Sequence, residues 1–267
     1  MRQLGSLLIS FAVLGLSNLS VSAQDRPLLG SSVPNCKQLD GKRIVFVING
    51  ELGSNQATDG VIALNGDLGL GLTVMTISWS RNDNRYQDMA DTEAQLCAAA
   101  KLAGLTAAVR RDCPNAKVFY VGHSSGARIA LVAAEMSPPQ SIDRLVLLNA
   151  AVSSCYDLRK ALQAIRCGID NFYASEDRVL ETAGEQYRLA DCTKGMAAGR
   201  NGFRLPPGLK DIDYCRYLRQ TPWQMDYHGQ GDHCTWIRPI NMKRVLPPIF
   251  CANCCEAAAP VPARIEP

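Results

Sequence analysis

The chain has 267 residues, of which 47% are hydrophobic and 20% charged. That balance excludes a disordered polyelectrolyte and supplies enough apolar side chain for one core of ordinary globular size. Lys and Arg number 28 against 25 Asp and Glu, a net charge of +3, and they gather into no basic stripe, so nothing indicates a nucleic-acid partner.

Met1 to Ala23 reads as a secretory signal. Arg2 is the early cation, Leu7 to Leu16 is apolar, and Val21-Ser22-Ala23 offers small residues for cleavage before Gln24. The apolar stretch is short for a membrane span, with an uncleaved anchor as the alternative. Loss of Arg2 would bring the side-chain charge to 3 − 1 = +2. The expected location is secreted or periplasmic, with no transmembrane segment left after cleavage. Eleven cysteines agree with an oxidising compartment, and an odd number leaves at least one thiol free or linked to another chain. Cys251-Ala252-Asn253-Cys254-Cys255 lacks the second cysteine pair or spaced histidine of a zinc site, so disulfides are the expected use and no metal is expected.

Residues 24–42 form a leader bearing Pro and Gly. Arg43 to Ile48 is an unbroken β-branched and aromatic run ending in Asn49-Gly50, which suits a buried parallel strand. Leu72 to Trp79 predicts a second strand. Helical spacing runs from about Gln87 to Arg111 and is ended by Cys113-Pro114. Lys117 to Val121 predicts the third strand, and the helix after it stops at Ser137-Pro138-Pro139. Arg144 to Asn149 is the fourth strand, Tyr156 to Ile165 a helix, Asp170 to Ala174 a short fifth strand, Pro222 to Tyr227 a sixth, and Trp236 to Val245 the last helix. Residues 251–267 form a Cys-, Ala- and Pro-rich tail. The alternation predicts one α/β domain over 43–250: a three-layer α/β/α sandwich around a mostly parallel sheet of about six strands, with no large cap. Ligands of such sheets gather beyond the carboxyl ends of the strands.

One such end carries Gly122-His123-Ser124-Ser125-Gly126, between an apolar strand and an Ala-rich helix. A sharp strand-to-helix turn of this kind presents a serine hydroxyl to substrate, with the helix N-terminus behind it. A serine needs a base, and only His123, His228 and His233 exist. His123 lies inside the motif and reads as structural or pocket-lining. His233 follows Gly229-Gln230-Gly231-Asp232, a loop able to carry an imidazole over the sheet edge, and is preferred to His228. Asp177, after the fifth strand, is the expected acid. Glu176 is the near alternative and Asp157 a more distant one; a helix-capping role would also account for an aspartate at 177.

The order Ser124, Asp177, His233 and the motifs Gly122–Gly126, Tyr173–Val179 and Gly231-Asp232-His233 resemble the α/β-hydrolases from about Arg43 to Phe250. The set looks most like small secreted bacterial members grouped with lipases and esterases. The resemblance implies an oxyanion hole built from the backbone amides of Ser125 and Glu51. Where relatives commonly read His-Gly, this chain reads Asn49-Gly50-Glu51-Leu52-Gly53. A carboxylate there is unfavourable beside a developing oxyanion unless it faces solvent or meets a cation.

The implied activity is hydrolysis of small-molecule or lipid carboxylic esters through an acyl-enzyme, with no cofactor. The same machinery would serve amides, thioesters or acyl transfer. From a different class, a non-catalytic secreted binding protein on the same scaffold is the alternative. The stretch from Leu180 to Thr221 is rich in Gly and Pro, and it reads as either a partial cover over the site or a surface excursion, with Cys192 and Cys215 able to pin it.

Overall fold

The computed structural model describes residues 36–204 and 217–251. The expected signal, most of the leader, and all of the tail beyond Cys251 lie outside the described residues. Helix α1 (Cys36–Leu39) precedes strand β1 (Arg43–Ile48). There follow α2 (Gln56–Leu68), β2 (Leu72–Ile77), α3 (Arg85–Ala90), α4 (Thr92–Asp112), β3 (Lys117–His123) and α5 (Ser125–Met136). The second half adds β4 (Arg144–Leu148), α6 (Arg159–Ala164), β5 (Ile169–Tyr173), α7 (Arg178–Gln186), α8 (Ala198–Asn201), β6 (Leu218–Pro222), a 3₁₀ turn at Thr235–Ile237 and α9 (Pro239–Cys251).

All six strands are parallel, in the order β2-β1-β3-β4-β5-β6. The chain builds outward from β1 in one direction to β2 and in the other to β3 through β6. The loops that leave β1 and β3 therefore diverge above the sheet at the point where strand order reverses, and a crevice forms there.

Strand residues alternate between two apolar cores. Ile44, Phe46, Ile48, Tyr120, Leu145 and Leu147 face α4 and α5. Val45, Val47, Phe119, Val121, Val146 and Leu148 face α2 and the C-terminal segment, where Trp236, Met242, Leu246 and Phe250 are buried. Burial on both faces is why the strands read as continuous apolar runs. Helices α4 and α5 meet through Ala94, Ala98, Ala99, Ala130, Ala133 and Ala134, small side chains that let the helices approach closely.

The sheet and layers agree with the expectation from the sequence, and the β4–β5 connection carries only the short α6, with no large cap. Some element bounds differ. The expected helix over 87–111 is two helices, because the Asp91 side chain accepts from Ala94 N and starts a new one. The sixth strand lies at 218–222 rather than 222–227. Its register with β5 runs to Pro222, and the Trp223 amide still bonds Tyr173 O at 2.7 Å before the chain turns away. Helix α2 was not expected from the sequence, and Gly60 and Gly66 weaken its pattern. At Gly60 a Cβ would meet Met242 Sδ at 2.4 Å, so the glycine permits the close crossing of α2 and α9.

Candidate active site

Ser124 occupies the turn between β3 and α5 with φ 53° and ψ −122°, a backbone conformation that L-residues rarely adopt. The turn is this tight because its flanking glycines leave no room for side chains. A Cβ on Gly126 would stand 2.2 Å from Ile48 O, and one on Gly122 would stand 2.7 Å from Ala127 Cα. The neighbouring loop is pressed on in the same way: a Cβ on Gly50 would lie 3.0 Å from His123 Nδ1 and 3.2 Å from Ser124 Cβ.

The hydroxyl of Ser124 lies 2.9 Å from His233 Nε2, and His233 Nδ1 donates to Asp177 Oδ2 at 2.7 Å. The three side chains are buried. Asp177 is held by two further donors, Asn149 Nδ2 at 3.0 Å to Oδ2 and the Leu180 amide at 3.0 Å to Oδ1. The second of these is an N-cap bond for α7. The capping role and the orientation of His233 are thus carried by the two oxygens of one carboxylate.

His233 is fixed at its main chain as well as at its ring. Its carbonyl oxygen is 3.1 Å from His123 Nε2. Burial, reinforced by nearby His233, pushes the His123 pKa down to about 3, so His123 is neutral and its Nε2–H donates to that carbonyl. Gly231 makes the turn before His233 at φ 72°, where a Cβ would press on the Trp223 ring. For His233 itself, burial alone would lower the pKa. The Asp177 and Glu51 carboxylates outweigh it and hold the pKa above the usual imidazole value.

The other sequence candidates stand apart from this relay. His228 is exposed, and its backbone N–H donates to Asn241 Oδ1. Asp157 is exposed and paired with Arg159. Glu176 is exposed beside Ser175 and does not contact His233 through a hydrogen bond.

Glu51 does not face solvent, and among the described residues it forms no ion pair with a cation. Its side chain is buried and turned inward. Oε1 accepts from the Ser125 amide at 3.2 Å and from the Ser125 hydroxyl, and the carboxylate lies 3.1 and 3.2 Å from Ser124 Oγ. The donor expected to receive an oxyanion already receives an anion from the chain itself. Residues that sequence reasoning passed over hold this loop in place. Asn49 exchanges hydrogen bonds with Thr58 and accepts from Trp79 Nε1 through its carbonyl. The buried Asp88 accepts from the Leu52 amide at 2.8 Å, as well as from Ser80 and Asn82. Burial would raise the Asp88 pKa, but those bonds prevail and lower it. The short run Asn82 to Asp91 contains the signal, a polar stretch after a strand, but nothing in its spacing marks Asp88 as the anchor.

The sequence model of a family described as alpha/beta hydrolase fold matches residues 79–180, which include β3, Ser124 and Asp177. The chain has the α/β-hydrolase fold. No curated protein matches it in sequence. Among solved structures, it is similar to a cutinase-like protein from Cryptococcus sp. at 13% identity, covering 77% of this chain and 91% of that one, with TM-score 0.39. It is also similar to the catalytic core domain of acetyl xylan esterase from Trichoderma reesei at 12% identity, covering 67% and 82%, with TM-score 0.34. An esterase described as cold-adapted, from an Arctic intertidal metagenomic library, shares 13% identity over 77% and 83%, with TM-score 0.37. At TM-scores below 0.5, none of these bears on the substrate.

The stretch after α7 is drawn into the domain as far as it is described. Ala190 N donates to Ala151 O, Ala198 N to Val152 O and Gly199 N to Ala150 O, while Ala174 N donates to Gly199 O. Residues 205–216 of the expected cover, including Cys215, lie outside the described residues. Cys192 carries a free thiol and so does not pin the segment through a disulfide. Cys97 is likewise unbridged, on a helix that runs unbroken to Asp112. Among the described residues, no cluster suited to a metal ion occurs, and no helix is long and apolar enough to cross a membrane.

Proposed function

We propose that this chain is an exported serine hydrolase acting on carboxylic esters. One observation carries the reading: the buried relay from Ser124 Oγ through His233 Nε2, at 2.9 Å, to Asp177 Oδ2, 2.7 Å from Nδ1. In this reading, His233 takes the Ser124 proton as Oγ attacks the ester carbonyl. Asp177 keeps Nδ1 protonated and stabilises the imidazolium. The imidazolium then protonates the leaving alcohol, and a water activated by the same base releases the acyl group. The amides of Ser125 and Glu51 are the donors for the tetrahedral oxyanion, so the Glu51 carboxylate has to leave Ser125 N before that charge develops. No cofactor enters these steps. Amide, thioester or acyl-transfer chemistry would use the same groups. Export is supported by Met1 to Ala23, read as a signal segment.

The test is labelling and turnover. A small fluorophosphonate should label the wild-type chain at Ser124, and Ser124→Ala should abolish both labelling and hydrolysis of short nitrophenyl esters. His233→Ala should lose hydrolysis nearly as completely, by several orders of magnitude, and His228→Ala should not. Full activity in a folded Ser124→Ala variant would refute the assignment. The position of Glu51 favours a second reading, a binding protein whose hole is permanently filled. That reading expects no labelling of the wild type and none of Glu51→Gln.

A further inference from the structure

His233 forms part of the wall of a cavity of about 670 Å³ that also involves Arg85, Arg178, Arg238, Glu176 and Asp232. Its charges do not cancel. Arg238 Nη2 pairs with Asp232 at 2.7 Å, which accounts for one cation and one anion. That leaves Arg85 and Arg178 against the single carboxylate of Glu176, and neither arginine forms an ion pair among the described residues. Nε of Arg238 is also buried without a hydrogen-bond partner. Donors outnumber acceptors in a recess beside the base.

Arg85 is not a loosely placed surface cation. It opens α3, where Asn84 caps the helix by accepting from Tyr86 N and Gln87 N, and the next residue, Tyr86, stacks on Tyr187 at 3.9 Å between ring centroids. It lines the same cavity as His233 and Cys234, and its charge there works against protonation of His123 and His233. A cation there opposes formation of the imidazolium on which the proposed reaction depends. An anion seated on the arginine would relieve that opposition.

We propose, resting on the serine-hydrolase reading, that this cavity receives a negatively charged group on the alcohol-derived part of the ester, a carboxylate, with Arg85 and Arg178 as its counterions. The side of the ester follows from the chemistry. The leaving oxygen must reach His233 Nε2 to collect its proton, so the alcohol part emerges beside the imidazole and the recess that it walls. Guanidinium groups suit a planar carboxylate, which can accept two parallel N–H bonds.

The experiment compares 4-acetoxybenzoate with its methyl ester, two acetate esters that differ in the charge on the leaving group. The wild type should favour the carboxylate by roughly tenfold or more in kcat/KM, the scale of a charge-assisted hydrogen bond, and in Arg85→Gln the ratio should fall towards one. Binding of the product 4-hydroxybenzoate, followed by titration calorimetry and so independent of turnover, should weaken about tenfold in the same variant. A ratio near one in the wild type, or 4-hydroxybenzoate binding indifferent to Arg85→Gln, would overturn the proposal. So would a preference for charge on the acyl side, seen with phenyl hemisuccinate and not with 4-acetoxybenzoate. If neither ester is cleaved but 4-hydroxybenzoate binding still depends on Arg85, the anion site stands and the serine-hydrolase reading fails.

Discussion

The single hydroxyl proton of Ser124 has competing acceptors within reach: His233 Nε2 at 2.9 Å and the Glu51 carboxylate at 3.1 and 3.2 Å. A proton directed to Glu51 is not available to the base. Two negative charges, Glu51 and the tetrahedral oxyanion, would also meet at one amide. Glu51→Gln should therefore raise kcat/KM for small neutral esters, by roughly tenfold if the hole is freed. The same change moves the pH profile. In the proposed reaction the base has to be neutral, so activity should rise as pH passes upward through the His233 pKa. Glu51 is one of the carboxylates that raise that pKa. Removing its charge lowers the pKa, and the acid limb should shift to lower pH; an unmoved limb would mean that Glu51 exerts no field on the base. The sequence Asn49-Gly50-Glu51 located this residue next to the site, but the direction of its side chain was not legible. That direction depends on Ser125 and on the loop anchor Asp88, which is 37 residues away from Glu51 in sequence and is brought near only by the fold.

At the scale of elements, α7 and the relay share a residue. Asp177 is the N-cap of α7 and the partner of His233 Nδ1, with a different oxygen for each task. The two tasks should separate by substitution. Asp177→Asn keeps a side-chain oxygen able to cap, so stability should fall little, while loss of the correct tautomer should cost roughly 10⁴-fold in rate. Asp177→Ala should add a stability loss of about 1 kcal/mol from the missing cap. Thermal unfolding and ester turnover on both variants check this, and equal stabilities would remove the cap from the account. The aspartate was legible in sequence as either an acid or a cap because both uses favour a short carboxylate after a strand. Element ends were less legible. The break at Asp91 depends on a single side chain, and α2 is held by its packing on α9 against the pull of its glycines.

At the scale of the molecule, the sheet was legible because both of its faces are covered, which makes the strands apolar throughout and separates them cleanly from the helices. The placement of Ser124 and Glu51 above the strand reversal follows from that topology and from nothing local. The stretch between α7 and β6 was legible only as long and rich in Gly and Pro. Its described part is bonded to Ala150, Ala151 and Val152, directly after β4 and beside the Asn149 that holds Asp177. A Cβ on Gly199 would come within 2.2 Å of the Asn149–Ala150 peptide, so this contact admits no loosening by a larger residue. That attachment has a consequence for how the protein opens. A surface excursion would fray independently, and its amides would exchange with solvent long before those of the sheet. The amides of Ala190, Ala198 and Gly199 should instead be among the slowly exchanging ones, released together with the β4 amides in one cooperative unit. Gly199→Ala should then speed exchange at β4 and at the Asp177 end of α7, so that this segment acts as a fastening of the relay's acid side.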